Sequence, residues 1–174
     1  LGGLVGSEMC IRDRYRMAYA WTHDPYLADD LVQQASYKAL SNQRQLKDLG
    51  AAEAWLFRIL SNCLKDYYRA KRDVVSSDDV VIADEVTPEH NTEKQQLVDK
   101  VRNAVRNLPL AQCQVVTLVD LEGFTYASVA EILEIPVGTV MSRLCRGRRA
   151  LKQYLIDVGP AMAPRRTATL TRVK

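Results

Sequence analysis

The sequence predicts an all-α protein built as two small helical domains joined by a flexible acidic linker. Three observations carry that expectation. Apolar residues recur at i, i+3, i+4 and i+7 in several segments, the spacing of one buried helix face. Residues 73–93 hold seven acids and no lysine or arginine, whereas residues 143–174 hold nine bases and one acid, Asp157. Residues 125–151 read as two helices around a tight turn, the second bearing a comb of arginines. The boundaries that follow are an atypical N-terminus over 1–14, a first domain over 15–72, a linker over 73–95, a second domain over 96–157 and a basic disordered tail over 158–174.

Composition narrows the class. The apolar fraction of 47% is ample for packed cores in a chain of 174 residues. Net charge is only +3, so the separation of charge along the chain says more about partners than the total does. Cys10, Cys63, Cys113 and Cys145 form no CxxC pair, which argues against a disulfide framework or a zinc site and for a reducing, cytoplasmic setting. No apolar run approaches the ~20 residues a membrane span requires, so no membrane insertion is expected. His23 and His90 are isolated, and no triad, metal spacing or phosphate loop is present; the chain reads as no enzyme, with no metal and no cofactor.

Taken in order, residues 1–14 are glycine-rich at the start, lack sustained periodicity and need not be native to the protein. Residues 15–22 read as the end of a first helix, and Asp24-Pro25 as a turn. A second helix over 26–40 places Leu27, Leu31 and Ala35 on one face and Asp29, Asp30, Gln33 and Gln34 on its polar side. Residues 41–52 are polar and read as a loop. The strongest amphipathic helix of the first half covers 54–72, with Trp55, Leu56, Ile59, Leu60, Cys63, Leu64 and Tyr67 on one face. Arg58, Asn62, Lys65, Asp66, Arg69 and Arg72 lie off that stripe, so five bases oppose one acid over 58–72. Bases with interleaved aromatics suit single-stranded nucleic acid, where phosphates are neutralised while bases stack; Trp55 itself reads as core.

After the linker, Leu97, Val101, Ala104, Val105 and Leu108 mark a helix closed by Pro109, and another runs over 111–122 with Gly123 as its stop. The next helix is expected to be capped by Thr125 and to bury Tyr126, Val129, Ala130 and Leu133. Ile135, Pro136, Val137 and Gly138 break the pattern and are expected to form the turn. At about 100° per residue, Val140, Leu144, Gly147 and Leu151 then form a narrow apolar stripe. Ser142, Arg146 and Arg149 project oppositely, with Thr139 and Arg143 on a flank. A helix buried on one side and bearing guanidinium groups and hydroxyls on the other suits a DNA major groove.

Three blocks carry a family resemblance that covers 15–155. ADDLVQQA (28–35), AWLFRILSNCLKDYYRAKR (54–72) and GTVMSRLCRGRRAL (138–151) stand in the order and spacing of the extracytoplasmic-function (ECF) sigma factors of the sigma-70 superfamily, which the chain resembles. The first looks like region 2.2, which docks on the clamp of the polymerase β′ subunit; the second like regions 2.3 and 2.4, which melt and read the minus-ten element; the third like the region 4.2 recognition helix, which reads the minus-thirty-five element. The resemblance implies core-polymerase docking through Asp29, Asp30, Gln33 and Gln34, minus-ten contacts from Asn62, Lys65, Arg69 and Arg72, and upstream contacts from Thr139, Ser142, Arg143, Arg146 and Arg149. Its partners would be core RNA polymerase (β′ clamp and β flap), promoter DNA and, in regulated members, an anti-sigma factor. Four residues depart from the family pattern: Gln34 and Ser36 replace a usual Glu and Phe, Ser128 a usual Glu, and Met141 an often basic residue. The alternative is a dimeric helix-turn-helix regulator that binds a palindrome without polymerase, which leaves the first two blocks unexplained.

Overall fold

The computed structural model describes residues 8–46, 48–74 and 93–157, all in helices and short turns. Most of the expected acidic linker and the whole basic tail therefore lie outside the described residues. The first helix, α1 (Glu8–Thr22), begins inside the segment expected to be atypical. Arg14, the last residue of that segment, is part of the packed structure: it is 1% exposed and donates to Ser36 Oγ at 3.3 Å. His23 ends the helix in the left-handed region (φ 56), and its N–H donates to Tyr19 O.

Asp24 then caps α2 (Pro25–Ser41), accepting from the N–H groups of Tyr26 and Leu27 at 2.9 and 3.1 Å. Proline suits this first position because its missing N–H would have no helical partner there. Ala28, Leu31, Val32, Ala35 and Ala39 form the buried face of α2. Two 3-10 turns, Gln43–Gln45 and Leu49–Ala51, occupy the expected loop and lead into α3 (Ala52–Val74).

The second half starts with α4 (Glu93–Arg106) and α5 (Leu110–Val116). The chain thus turns helical within the expected linker at both of its ends. Beyond α5 the helix widens into a π turn, Thr117–Leu121, where the Thr117 hydroxyl bonds back to Cys113 O at 2.7 Å. Gly123 stops it at φ 74, as a C-terminal glycine should. Then come α6 (Tyr126–Leu133) and α7 (Val137–Asp157).

The helical class matches expectation, but the two halves are not merely strung on a linker: they pack into one shared core. Across the seam, Trp21 Nε1 donates to Thr117 Oγ1 at 2.9 Å, with both side chains buried. The Cys113 thiol donates to Ala20 O, and Arg106 lies over the Tyr19 ring while bonding its hydroxyl. Phe57 on α3 meets Phe124 edge to face at 5.6 Å between centroids. Phe57 is 2% exposed although it lies off the expected apolar stripe. A second face of α3 is buried by the other half of the molecule, a contact that no helical periodicity announces. Tyr67, expected on the buried face, is instead 37% exposed.

Candidate nucleic-acid interface

The helix-turn-helix is built by local chemistry. Thr125 Oγ1 accepts from Ser128 N–H at 3.1 Å, the expected cap. Ser128 Oγ meets the same hydroxyl at 2.9 Å, where a longer acidic side chain would reach back to the backbone. Val129, Ala130, Ile132 and Leu133 are buried; Tyr126, expected among them, stands at the surface. The turn also differs from expectation. Its left-handed residue is Glu134 (φ 58, ψ 48), and Ile135 N–H closes back on Ala130 O at 3.0 Å, a Schellman closure. Gly138 is not a turn residue, since it lies in the first turn of α7. Pro136 O accepts from Thr139 and Val140 N–H and so starts that helix.

In α7, Val140, Leu144 and Gly147 are buried, and Leu151 is partly so. Gly147 marks a close approach to α5: a Cβ there would sit 2.6 Å from Val116 Cγ2. On the opposite side, Ser142, Arg146 and Arg149 are exposed, with Thr139 and Arg143 half-buried at the flank. Arg146 Nε donates to Ser142 O at 3.2 Å, and Ser142 Oγ donates to Thr139 O at 3.0 Å. These side chains lean along their own helix. Arg148 belongs to a different set: its guanidinium grips Asp120, with Nε to Oδ2 at 3.1 Å, and braces α7 against the π turn.

The basic face of α3 is arranged otherwise. Lys65 Nζ donates to Asn62 Oδ1 (3.2 Å), Leu133 O (3.0 Å) and Glu134 Oε2 (3.2 Å). Arg58 donates through Nε and a terminal nitrogen to Glu134 Oε1 at 3.2 and 2.9 Å. The Arg58 guanidinium first, and Lys65 second, hold the Glu134 carboxyl below the usual carboxylate value. One of the four expected residues, Lys65, is thus drawn to the helix-turn-helix, while Asn62 accepts from Lys65 on its own helix. Arg69 points into solvent beside Asp66, and Arg72 is helical with its side chain outside the described residues. Arg58 and Glu134 were not expected at the site. Arg58 carries a signal, because it lies one turn before Asn62 off the apolar stripe; Glu134 carries none.

A third surface lies on α2. Asp29, Asp30, Gln33 and Gln34 are all exposed, flanked by Tyr26 and Tyr37, two of the most exposed aromatics. Among the described residues no group of three His, Cys, Asp or Glu could hold a metal, and no helix is long and apolar enough to cross a membrane. Burial pushes the Cys113 thiol up to about 12, which leaves it an inert core group.

Comparison with known proteins divides the chain along the same lines. Residues 8–74 match the family model of sigma-70 region 2, and residues 99–151 that of sigma-70, region 4. The ECF RNA polymerase sigma-E factor of Haemophilus influenzae is 31% identical over 138 residues, covering 72% of this chain and 73% of that protein. The ECF sigma factor EcfG of Rhodopseudomonas palustris is 33% identical over 138 residues, covering 76% of each. Among solved structures, the sigma factor RpoE of Bartonella quintana in complex with the anti-sigma factor NepR superimposes with a TM-score of 0.70 at 27% identity, covering 87% of this chain and 94% of that one. CnrH in complex with the cytosolic domain of CnrY shares the fold, with a TM-score of 0.56 at 21% identity over 85% of this chain and 83% of that one.

Proposed function

The chain belongs to the ECF sigma factors of the sigma-70 family, and from that premise we propose how its three surfaces divide the work of directing core RNA polymerase to promoters. The observation that carries the reading is the joint presence, in one chain, of an exposed arginine face on α7 and a basic, aromatic-flanked face on α3. The first suits duplex DNA; the second suits a strand as it opens.

In this assignment Arg146 reads a base edge of the upstream element with Ser142 and Thr139 beside it, and Arg143 and Arg149 hold phosphates. Asn62, Lys65, Arg69 and Arg72 hold the minus-ten strand. Asp29, Asp30, Gln33 and Gln34 dock on the polymerase clamp. The subunit binds and positions, with no catalytic residue of its own, and works in the cytoplasm where polymerase is. An anti-sigma factor is a fitting partner, since the superimposed RpoE is itself seen bound to one.

Opening DNA costs a few kcal/mol for each base unstacked, more than two small helical units supply unaided. The protein alone should therefore bind promoter DNA weakly and open none of it. Combined with core polymerase it should give defined transcripts, with permanganate-reactive thymines just upstream of the start. Tight binding of a palindrome by the protein alone, without transcripts from core polymerase, would establish a dimeric regulator instead.

A further inference from the structure

Glu134 sits where the other half of the molecule can least ignore it. Arg58, Asn62 and Lys65 fall at i, i+4 and i+7 on α3, so they share one face. Glu134 fills that face: both of its carboxylate oxygens are engaged, one by the Arg58 fork and one by the Lys65 ammonium. Leu133 O takes a further Lys65 proton at 3.0 Å, and Asn62 Oδ1 another at 3.2 Å. A guanidinium fork with an ammonium beside it is how proteins also hold a phosphodiester, through charge-assisted bonds of the same geometry.

A second observation is independent of these bonds. Glu134 is one of two described non-glycine residues at positive φ, a conformation glycine would take more readily. That backbone places the carboxylate at the tip of the turn, facing α3. A third is the apolar seam, where Phe57 meets Phe124 and Trp21 bonds Thr117 in the same closed arrangement.

We propose that Glu134 is a built-in substitute for a nucleic-acid phosphate, occupying the Arg58–Asn62–Lys65 face in the free protein and excluding a melted strand from it. This rests on the reading of α3 as the strand-holding helix. Two consequences follow. The free protein is closed, and single-stranded DNA and the helix-turn-helix compete for the same cations. Release of Glu134 uncovers α3, whereas the arginine face of α7 is exposed throughout, so the latch governs the strand-holding face alone.

The test uses the full chain carrying Trp55→Phe, which leaves Trp21 as the sole tryptophan and a reporter of the seam. Four proteins are compared: this parent, Glu134→Gln, the charge-matched control Glu131→Gln on the exposed side of α6, and the swap Arg58→Glu with Glu134→Arg. Each is measured for Trp21 emission, for radius of gyration by X-ray scattering and for binding of a short fluorescein-labelled single-stranded DNA. Circular dichroism reports helicity. Glu134→Gln should red-shift the emission, enlarge the particle and tighten DNA binding about threefold, in keeping with the modest strength of exposed ion pairs; Glu131→Gln should do none of these. The swap should restore the parent emission and size. Parent-like emission, size and affinity in Glu134→Gln, or equal tightening in Glu131→Gln, would overturn the proposal. Transcription with core polymerase is scored separately. Absent transcripts with an intact latch would remove the promoter role alone, and normal transcripts with no latch would remove the latch alone.

Discussion

The two basic helices of this protein, α3 and α7, carry similar side chains and meet different fates. On α7, Arg146 leans on its own helix at Ser142 and Arg149 is exposed beside it, so a DNA groove can take them with nothing from the other half displaced. Two cations of α3 are instead engaged across the seam, since Arg58 and Lys65 share Glu134 and Lys65 also holds Leu133 O. A duplex reader can be kept ready, because duplex DNA is always present. A holder of single strands gains from being covered until a strand exists.

The most forceful way to break the comparison is to remove the apolar half of the seam. Phe57→Ala deletes a buried ring and its contact with Phe124, and should cost about 3–5 kcal/mol in urea unfolding. A loss below about 1 kcal/mol would mean that the closed arrangement contributes little to folding. Gly147→Ala acts on the other region alone. Its Cβ would collide with Val116, and overpacking of this kind should cost about 1–3 kcal/mol and reposition α7 against α5; an unchanged melting temperature would show that the helices separate freely.

On the DNA side, Arg146→Ala should weaken a matched upstream element by about 1–3 kcal/mol and a scrambled one much less. Arg149→Ala should weaken both similarly and reduce the salt slope by about one. Equal losses for Arg146→Ala on the two DNAs would make it a phosphate contact.

The smallest expected effect concerns pH, and it separates two carboxylates at the seam. Burial, followed by the nearby Asp13 charge, raises the Glu122 pKa above 4.5, with Arg16 opposing and Glu53 adding to the shift. The folded state then binds this proton more tightly than the unfolded chain does. Its ionisation therefore costs stability at neutral pH, and that cost fades as pH falls through the raised value toward 4.5. Glu134 has the opposite sign: its lowered pKa contributes stability above 4.5 that is lost as pH falls through the depressed value. Glu122→Gln should thus stabilise at pH 7 and be neutral in acid, whereas Glu134→Gln should destabilise at pH 7 and be neutral in strong acid. Unfolding curves across that range check both, and parallel behaviour of the two variants would erase the distinction.

Much of this protein was legible in the sequence, because helices are written by short-range rules. The α7 stripe of Val140, Leu144 and Gly147, the Thr125 cap and the Gly123 stop all depend on residues within a turn or two of one another. The exposed faces holding Asp29 and Asp30, and Ser142, Arg146 and Arg149, follow from the same periodicity. The tertiary structure alone decided what those rules cannot reach. Phe57 is core only because a second half closes on α3, and Arg148 is a brace only because Asp120 lies beside it. Glu134, not the nearby glycine, takes the left-handed turn, and its carboxylate finds Arg58 from 76 residues away. Periodicity specifies which side of a helix is buried by its neighbours in the chain. Which charge meets which across a seam depends on how two finished surfaces dock, and that is settled only when their apolar faces have closed.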